Sequence, residues 1–123
     1  MKKTVLITGC SVGGLGYALA EEFHKLGYHV IATARDTTKI GPLANKPDVE
    51  VFPLDVTFPE SISDLLAKIQ TKGIKLDILV NNAGCASFNP LVHADIDNAK
   101  ALYDVNVWGS LRVTQAFIPL LFL

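Results

Sequence analysis

The first place in this sequence where the backbone itself could do chemistry is the run Thr8-Gly9-Cys10-Ser11-Val12-Gly13-Gly14-Leu15-Gly16. It overlaps the end of Thr4-Val5-Leu6-Ile7-Thr8, a short β-branched and apolar run of the kind buried on both faces of a parallel sheet and ended by Gly9, and its glycines open a stretch of helical spacing. Glycines at such a bend let the chain turn tightly and approach a pyrophosphate, while the free amides of the helix start favour an anion. Gly9, Gly14, Leu15 and Gly16 are therefore candidate cofactor-binding positions, with Ser11 offering a hydroxyl. A glycine cluster alone is also compatible with a plain tight turn. About 20 residues further on, an Asp or Glu at the end of the second strand would bond a ribose 2'-hydroxyl and repel a phosphate. This chain has Ala34-Arg35 there, and the Arg35 guanidinium suits a 2'-phosphate, so NADPH is expected over NADH. The alternative is that Arg35 is an ordinary exposed arginine and Asp36 reads the ribose.

The other reactive side chains form no recognisable constellation. Cys10 and Cys85 lack C-x-x-C spacing, which argues against zinc and disulfides, implies no metal site, and fits a reducing compartment. Both would lie near the carboxyl ends of neighbouring strands as small apolar fillers, although thiols placed there could meet oxidants. His24, His29 and His93 have no partner pattern and read as surface or edge residues. A net charge of -1, with lysines only in small groups such as Lys2-Lys3 and Lys72 to Lys75, gives no concentrated basic face and excludes a nucleic-acid partner.

Positioning these residues requires an alternation of strands and helices. Leu15, Leu19, Phe23 and Leu26 mark one helical face with Gly27 as its stop, and His29 to Thr33 is a second strand. Gly41, Pro42 and Pro47 break the pattern between Arg35 and Pro47, which predicts a loop with at most one short helix. Val49 to Leu54 is a third strand, and Pro59 opens a helix with the buried stripe Ile62, Leu65, Leu66 and Ile69, closed by Gly73. Leu76 to Val80 is a fourth strand. A long helix follows from about Asp95 to Pro119, interrupted at Gly109, with Ala99, Leu102, Tyr103 and Val107 facing inward. Buried strands joined by crossovers make an α/β fold, a parallel sheet covered on both faces, in a single domain over 1–123. The N-terminal apolar run is too short for a secretory signal, and the apolar tail Ala116 to Leu123 falls short of the ~20 residues of a membrane span.

Thr8-Gly9 with its glycines, Leu54-Asp55-Val56, Asn81-Asn82-Ala83-Gly84 and Asp104-Val105-Asn106-Val107 together resemble the short-chain dehydrogenase/reductase family, over essentially the whole chain. The resemblance implies a Rossmann-type three-layer αβα fold with strand order 3-2-1-4. It implies that Asp55, with Val56 beside it, bonds the adenine amino group, and that Asn82, Ala83 and Gly84 end the fourth strand beneath the cofactor. Asn106 would be the catalytic residue present, kinking its helix and holding a water in the proton relay.

One extra residue separates Gly9 from Gly14-Leu15-Gly16 relative to the usual Gly-x-x-x-Gly-x-Gly. That variant, with Ala32-Thr33-Ala34-Arg35, resembles fungal NADPH-dependent 1-acyldihydroxyacetone phosphate reductases, with hydroxysteroid or retinol reductases as neighbours. The implied activity is reduction of a ketone, a small-molecule or lipid-type substrate, in a cytoplasmic protein peripheral to lipid droplets or the endoplasmic reticulum. The family's catalytic Ser and Tyr-x-x-x-Lys have no counterpart in these 123 residues: Tyr17, Tyr28 and Tyr103 are followed four residues on by Glu21, Ala32 and Val107, and Ser87 and Ser110 fall outside the expected strand end. A sheet truncated after four strands would leave an open edge, which predicts association as a homo-oligomer, and a catalytically inactive NADPH-binding module or fragment is the alternative function.

Overall fold

The computed structural model describes residues 2–122; Leu123, part of the apolar tail noted above, lies outside the described residues. Strand β1 is Thr4–Ile7, with all four side chains buried. β2 is His29–Ala34, β3 Val49–Pro53 and β4 Ile78–Val80. All pair in parallel in the order β3-β2-β1-β4, with Leu6 level with both Ile31 and Leu79, so the expected architecture and strand order are found.

Alternation along the strands divides the core in two, because successive side chains point to opposite faces. On one face Leu6, Ile31 and Phe52 pack with helix α2, Pro59–Thr71, through Ile62, Leu65 and Ile69. Helix α4, Ser110–Leu121, covers the same face through Val113, Phe117 and Leu120. On the other face Val5, Ile7, Val30 and Ala32 meet helix α1, Leu15–Lys25, and the 3-10 segment Thr37–Asn45. Three layers result, with the carboxyl ends of all four strands at one edge.

Four expectations from periodicity need correction. In α1 the buried positions are Gly16 and Ala20, with Leu19 and Phe23 partly buried, while Leu15 and Leu26 are 69% and 66% exposed. Small residues draw this helix close to the sheet, and the larger side chains at its two ends stay outside. Between Arg35 and Pro47 the chain is helical rather than open: two 3-10 turns meet at Gly41, whose φ of 67° and ψ of -142° make the kink, and Ile40 and Leu43 are fully buried. Tyr103 and Val107 do not face inward but are 58% and 43% exposed. Finally, the long helix is not interrupted at Gly109. Helix α3, Ile96–Tyr103, runs through a π turn, Asp104–Gly109, into α4. Gly109 keeps helical angles, and its missing side chain is what lets the helix approach Val56, since a Cβ there would stand 2.6 Å from Val56 Cγ2.

Candidate functional site

The bends at the carboxyl edge of the sheet enclose a cleft of about 500 Å³. Gly9, Ser11, Gly14, Leu15, Arg35, Asp55, Val56, Asn82, Ala83 and Gly84 all line it, so ten of the eleven positions proposed for cofactor binding come together. Gly16 does not reach the cleft; it is buried one layer behind. A methyl at Gly16 would overlap the Gly9 carbonyl and the Asn82 amide, and one at Gly9 would lie 2.9 Å from the Ala83 Cα. These two glycines thus allow the bend after β1 to press against the bend after β4.

Hydrogen bonds lock that contact. The Thr8 hydroxyl accepts from the amides of Asn82 and Ala83 at 2.9 and 2.8 Å, and Asn82 Nδ2 donates to the carbonyls of Thr8 and Gly9 at 3.1 and 3.0 Å. Thr8 was not a candidate from sequence, yet a threonine at the end of an apolar strand, directly before the glycine bend, was the available signal. Cys10, next along, donates its amide to Thr33 at 2.8 Å and its thiol to the Ile7 carbonyl. Burial pushes that thiol up to about 11, which makes Cys10 an inert filler, whereas Cys85 is exposed in the cleft wall.

The start of α1 faces the cleft without a cap. Gly14 at the N-cap has no side chain to accept the first amides, and the first turn carries no acidic residue. Unsatisfied amides and the positive end of the helix dipole there suit a diphosphate. At the neighbouring strand end, Arg35 is exposed, lines the cleft and forms no ion pair among the described residues. Asp36 is engaged elsewhere: its Oδ1 accepts from the Thr38 amide at 3.0 Å and the Thr38 hydroxyl at 2.6 Å, and those bonds hold its pKa below the ordinary carboxylate value. The Arg35 guanidinium has the charge and fork geometry to meet a phosphate, and one carboxylate oxygen of the neighbouring Asp36 is taken by Thr38. After β3, Asp55 Oδ1 similarly accepts from the amide and hydroxyl of Thr57, at 2.9 and 2.6 Å, fixing the turn that carries Val56. The residues present therefore fit a dinucleotide.

Asn106 sits in the π turn and clamps the far wall. Its Oδ1 accepts from the Cys85 amide at 2.8 Å and its Nδ2 donates to the Cys85 carbonyl at 2.7 Å, as a neighbouring strand would. Arg112 steadies the same turn by bonding Asp104 and the Val56 carbonyl. The remaining candidates stay apart from the cleft. Ser110 donates to the Asn106 carbonyl at a long 3.5 Å, Ser87 only accepts from Asn89, His24 bonds the Pro47 carbonyl, and His29 pairs with Glu50 at the start of β2, the opposite end of the sheet. Among the described residues no cluster of His, Cys, Asp and Glu could hold a metal, and no helix is long and apolar enough to cross a membrane.

Comparison with known proteins agrees with this geometry. Residues 3–122 match the short chain dehydrogenase family. The chain is 48% identical over 122 residues to the short-chain dehydrogenase cctT of Talaromyces islandicus, covering 98% of this chain and 43% of that protein. It is 40% identical over 118 residues to the NADPH-dependent 1-acyldihydroxyacetone phosphate reductase of Schizosaccharomyces pombe, covering 94% of this chain and 39% of that protein. Among solved structures, the NADPH-bound carbonyl reductase from chicken fatty liver superimposes with a TM-score of 0.86 at 30% identity, over 97% of this chain and 51% of that one. The chain thus spans less than half the length of the curated relatives it matches. With its strand order, its glycine bend and the match over residues 3–122, the chain belongs to the short-chain dehydrogenase/reductase family.

Proposed function

We propose that this chain supplies the NADPH-binding half of a reductase that delivers hydride to a ketone, with a lipid-type substrate such as 1-acyldihydroxyacetone phosphate. The observation that supports the cofactor choice is that Arg35 lines the cleft with no ion pair among the described residues, beside an Asp36 whose Oδ1 is held by Thr38. When bound, the nicotinamide supplies the hydride. The protein's share is positional: the amides at the start of α1 take the diphosphate, Arg35 takes the 2'-phosphate, and the Asp55-Val56 turn borders the adenine. Asn106 keeps the Gly84-Cys85 wall at a fixed distance from the helix through its two side-chain bonds to Cys85. The substrate class is supported by the 40% identical NADPH-dependent 1-acyldihydroxyacetone phosphate reductase; the chain is 48% identical to cctT, whose name carries no substrate.

The reading also includes cytoplasmic placement, peripheral to a lipid surface, and a homo-oligomer assembled through the exposed apolar residues Tyr103, Val107, Trp108 and Leu111. Titration with NADPH and NADH tests the cofactor, and NADPH oxidation with acyl-dihydroxyacetone phosphate, followed in the protein that carries this chain, tests the substrate. Preferential NADPH binding with turnover supports the reading, and binding without turnover of that ketone removes the substrate class. Equal affinity for the two cofactors removes the choice of NADPH.

A further inference from the structure

Asp36 follows Arg35 directly, and a free carboxylate in that place would oppose a phosphate on the guanidinium. The structure gives the acid another task. Its Oδ1 caps the 3-10 segment Thr37–Asn45 through both the amide and the hydroxyl of Thr38. That segment is in turn fastened to the glycine bend: the Val12 amide donates to the Lys39 carbonyl at 2.7 Å, and a Cβ at Gly41 would stand 3.6 Å from Val12 Cβ. Ile40 and Leu43, both fully buried, fix its inner side to the sheet. Val12 belongs to the loop that carries one residue more than the usual glycine spacing, so the added length makes a contact of its own. The chain leaving Arg35 is consequently held at its cap, at its middle and in the core.

We propose that Asp36 is a positioning residue for cofactor choice: by capping Thr38 it holds the Thr37–Asn45 segment against Val12 and so fixes Arg35 at the mouth of the cleft for a 2'-phosphate. The inference rests on the NADPH reading above and deepens it, assigning the acid to support of the cation rather than to contact with the ribose. The Thr38 bonds lower the pKa of Asp36, and the charge of Lys39 acts in the same direction.

The test uses adenosine 2',5'-bisphosphate and 5'-AMP as probes of the adenosine end alone, with dissociation constants from calorimetry. The wild-type chain is expected to bind the bisphosphate more tightly. Asp36→Ala should weaken the bisphosphate about fivefold, the equilibrium equivalent of a lost N-cap, while 5'-AMP affinity holds. Asp36→Asn keeps the acceptor without the charge and should retain wild-type preference; Thr38→Val, which removes one of the two donors, should give a smaller loss in the same direction. If Asp36→Ala leaves or raises the preference while the wild type still favours the bisphosphate, the inference fails and the NADPH reading stands. Equal loss of both probes in Asp36→Ala also overturns it, since the residue would then support the fold and not the choice. A wild type with no preference removes both inference and reading.

Discussion

On the wall of the cleft built from β1, β2 and the Thr37–Asn45 segment, Ile7, Cys10, Ala32, Ile40 and Leu43 show no exposed surface, while on the opposite wall every residue from 84 to 98 is exposed. The first wall is held by interlocking side chains on a sheet face. The second is held to the body by a few directed bonds, chiefly those of Asn106 to Cys85 and of Arg112 to Asp104 and Val56. Packing is cooperative and costly to disturb, whereas a bond made by one exposed side chain contributes only about 1 kcal/mol net. The difference teaches that the end of the cleft beside Arg35 is held by packing, and that the end nearer Asn106 owes its shape to single residues.

The largest test of that contrast is Gly16→Ala. A methyl overlapping the Gly9 carbonyl and Asn82 forces the two bends apart, and the cost should be about 3 kcal/mol, the upper part of the range for overpacking. Urea unfolding measures it, and a wild-type midpoint would show the bends to be far more yielding than their contacts imply. Next is Arg35→Asp, which should weaken NADPH by about 2 kcal/mol or more, losing a charge-assisted bond and adding like-charge repulsion, while NADH holds or gains through its ribose hydroxyl. An unaltered ratio of the two dissociation constants would detach Arg35 from cofactor choice. Asn106→Ala should cost about 1 kcal/mol in global stability yet raise hydrogen exchange at the Cys85 amide, with binding of 5'-AMP unaffected. Exchange that stays slow in this variant would mean the second wall has packing support of its own.

The smallest effect is chemical. At pH 8 Cys85 should be alkylated promptly and Cys10 only on unfolding, because burial keeps the Cys10 thiol protonated. A thiol whose folded pKa is raised from 9.0 to about 11 stabilises the fold fully below pH 9.0 and loses that contribution as pH climbs to about 11. Cys10→Ala should flatten the alkaline fall in stability over that window. A fall of unchanged steepness would place its origin elsewhere.

Much of the first wall was legible from sequence, because glycines in a strand-to-helix bend and an arginine at the next strand end are expensive or unusual choices with few other uses. The second wall was less so. The spacing of Tyr103 and Val107 marks an apolar stripe, but periodicity reports which residues share a face and not what that face meets. Leu15 and Leu26 misled for a related reason: the face of α1 nearest the sheet is identified by its smallness, at Gly16 and Ala20, and not by bulk. Ile40 and Leu43 were hidden by Gly41 and Pro42, residues that usually mark loops but here shape two 3-10 turns. Thr8 and Thr57 escaped because their hydroxyls act on groups far along the chain or on a turn that exists only once folded.

Gly109 has a consequence for scale. With no side chain between them, the helix bearing Asn106 and the Val56 corner at the end of β3 stand at their minimum separation, and Arg112 clips one to the other. The contact works as a gauge block between the Asp55-Val56 side of the cleft and the end that Asn106 borders. Gly109 is not among the residues lining the cleft, and a larger residue there would still set the two ends out of step.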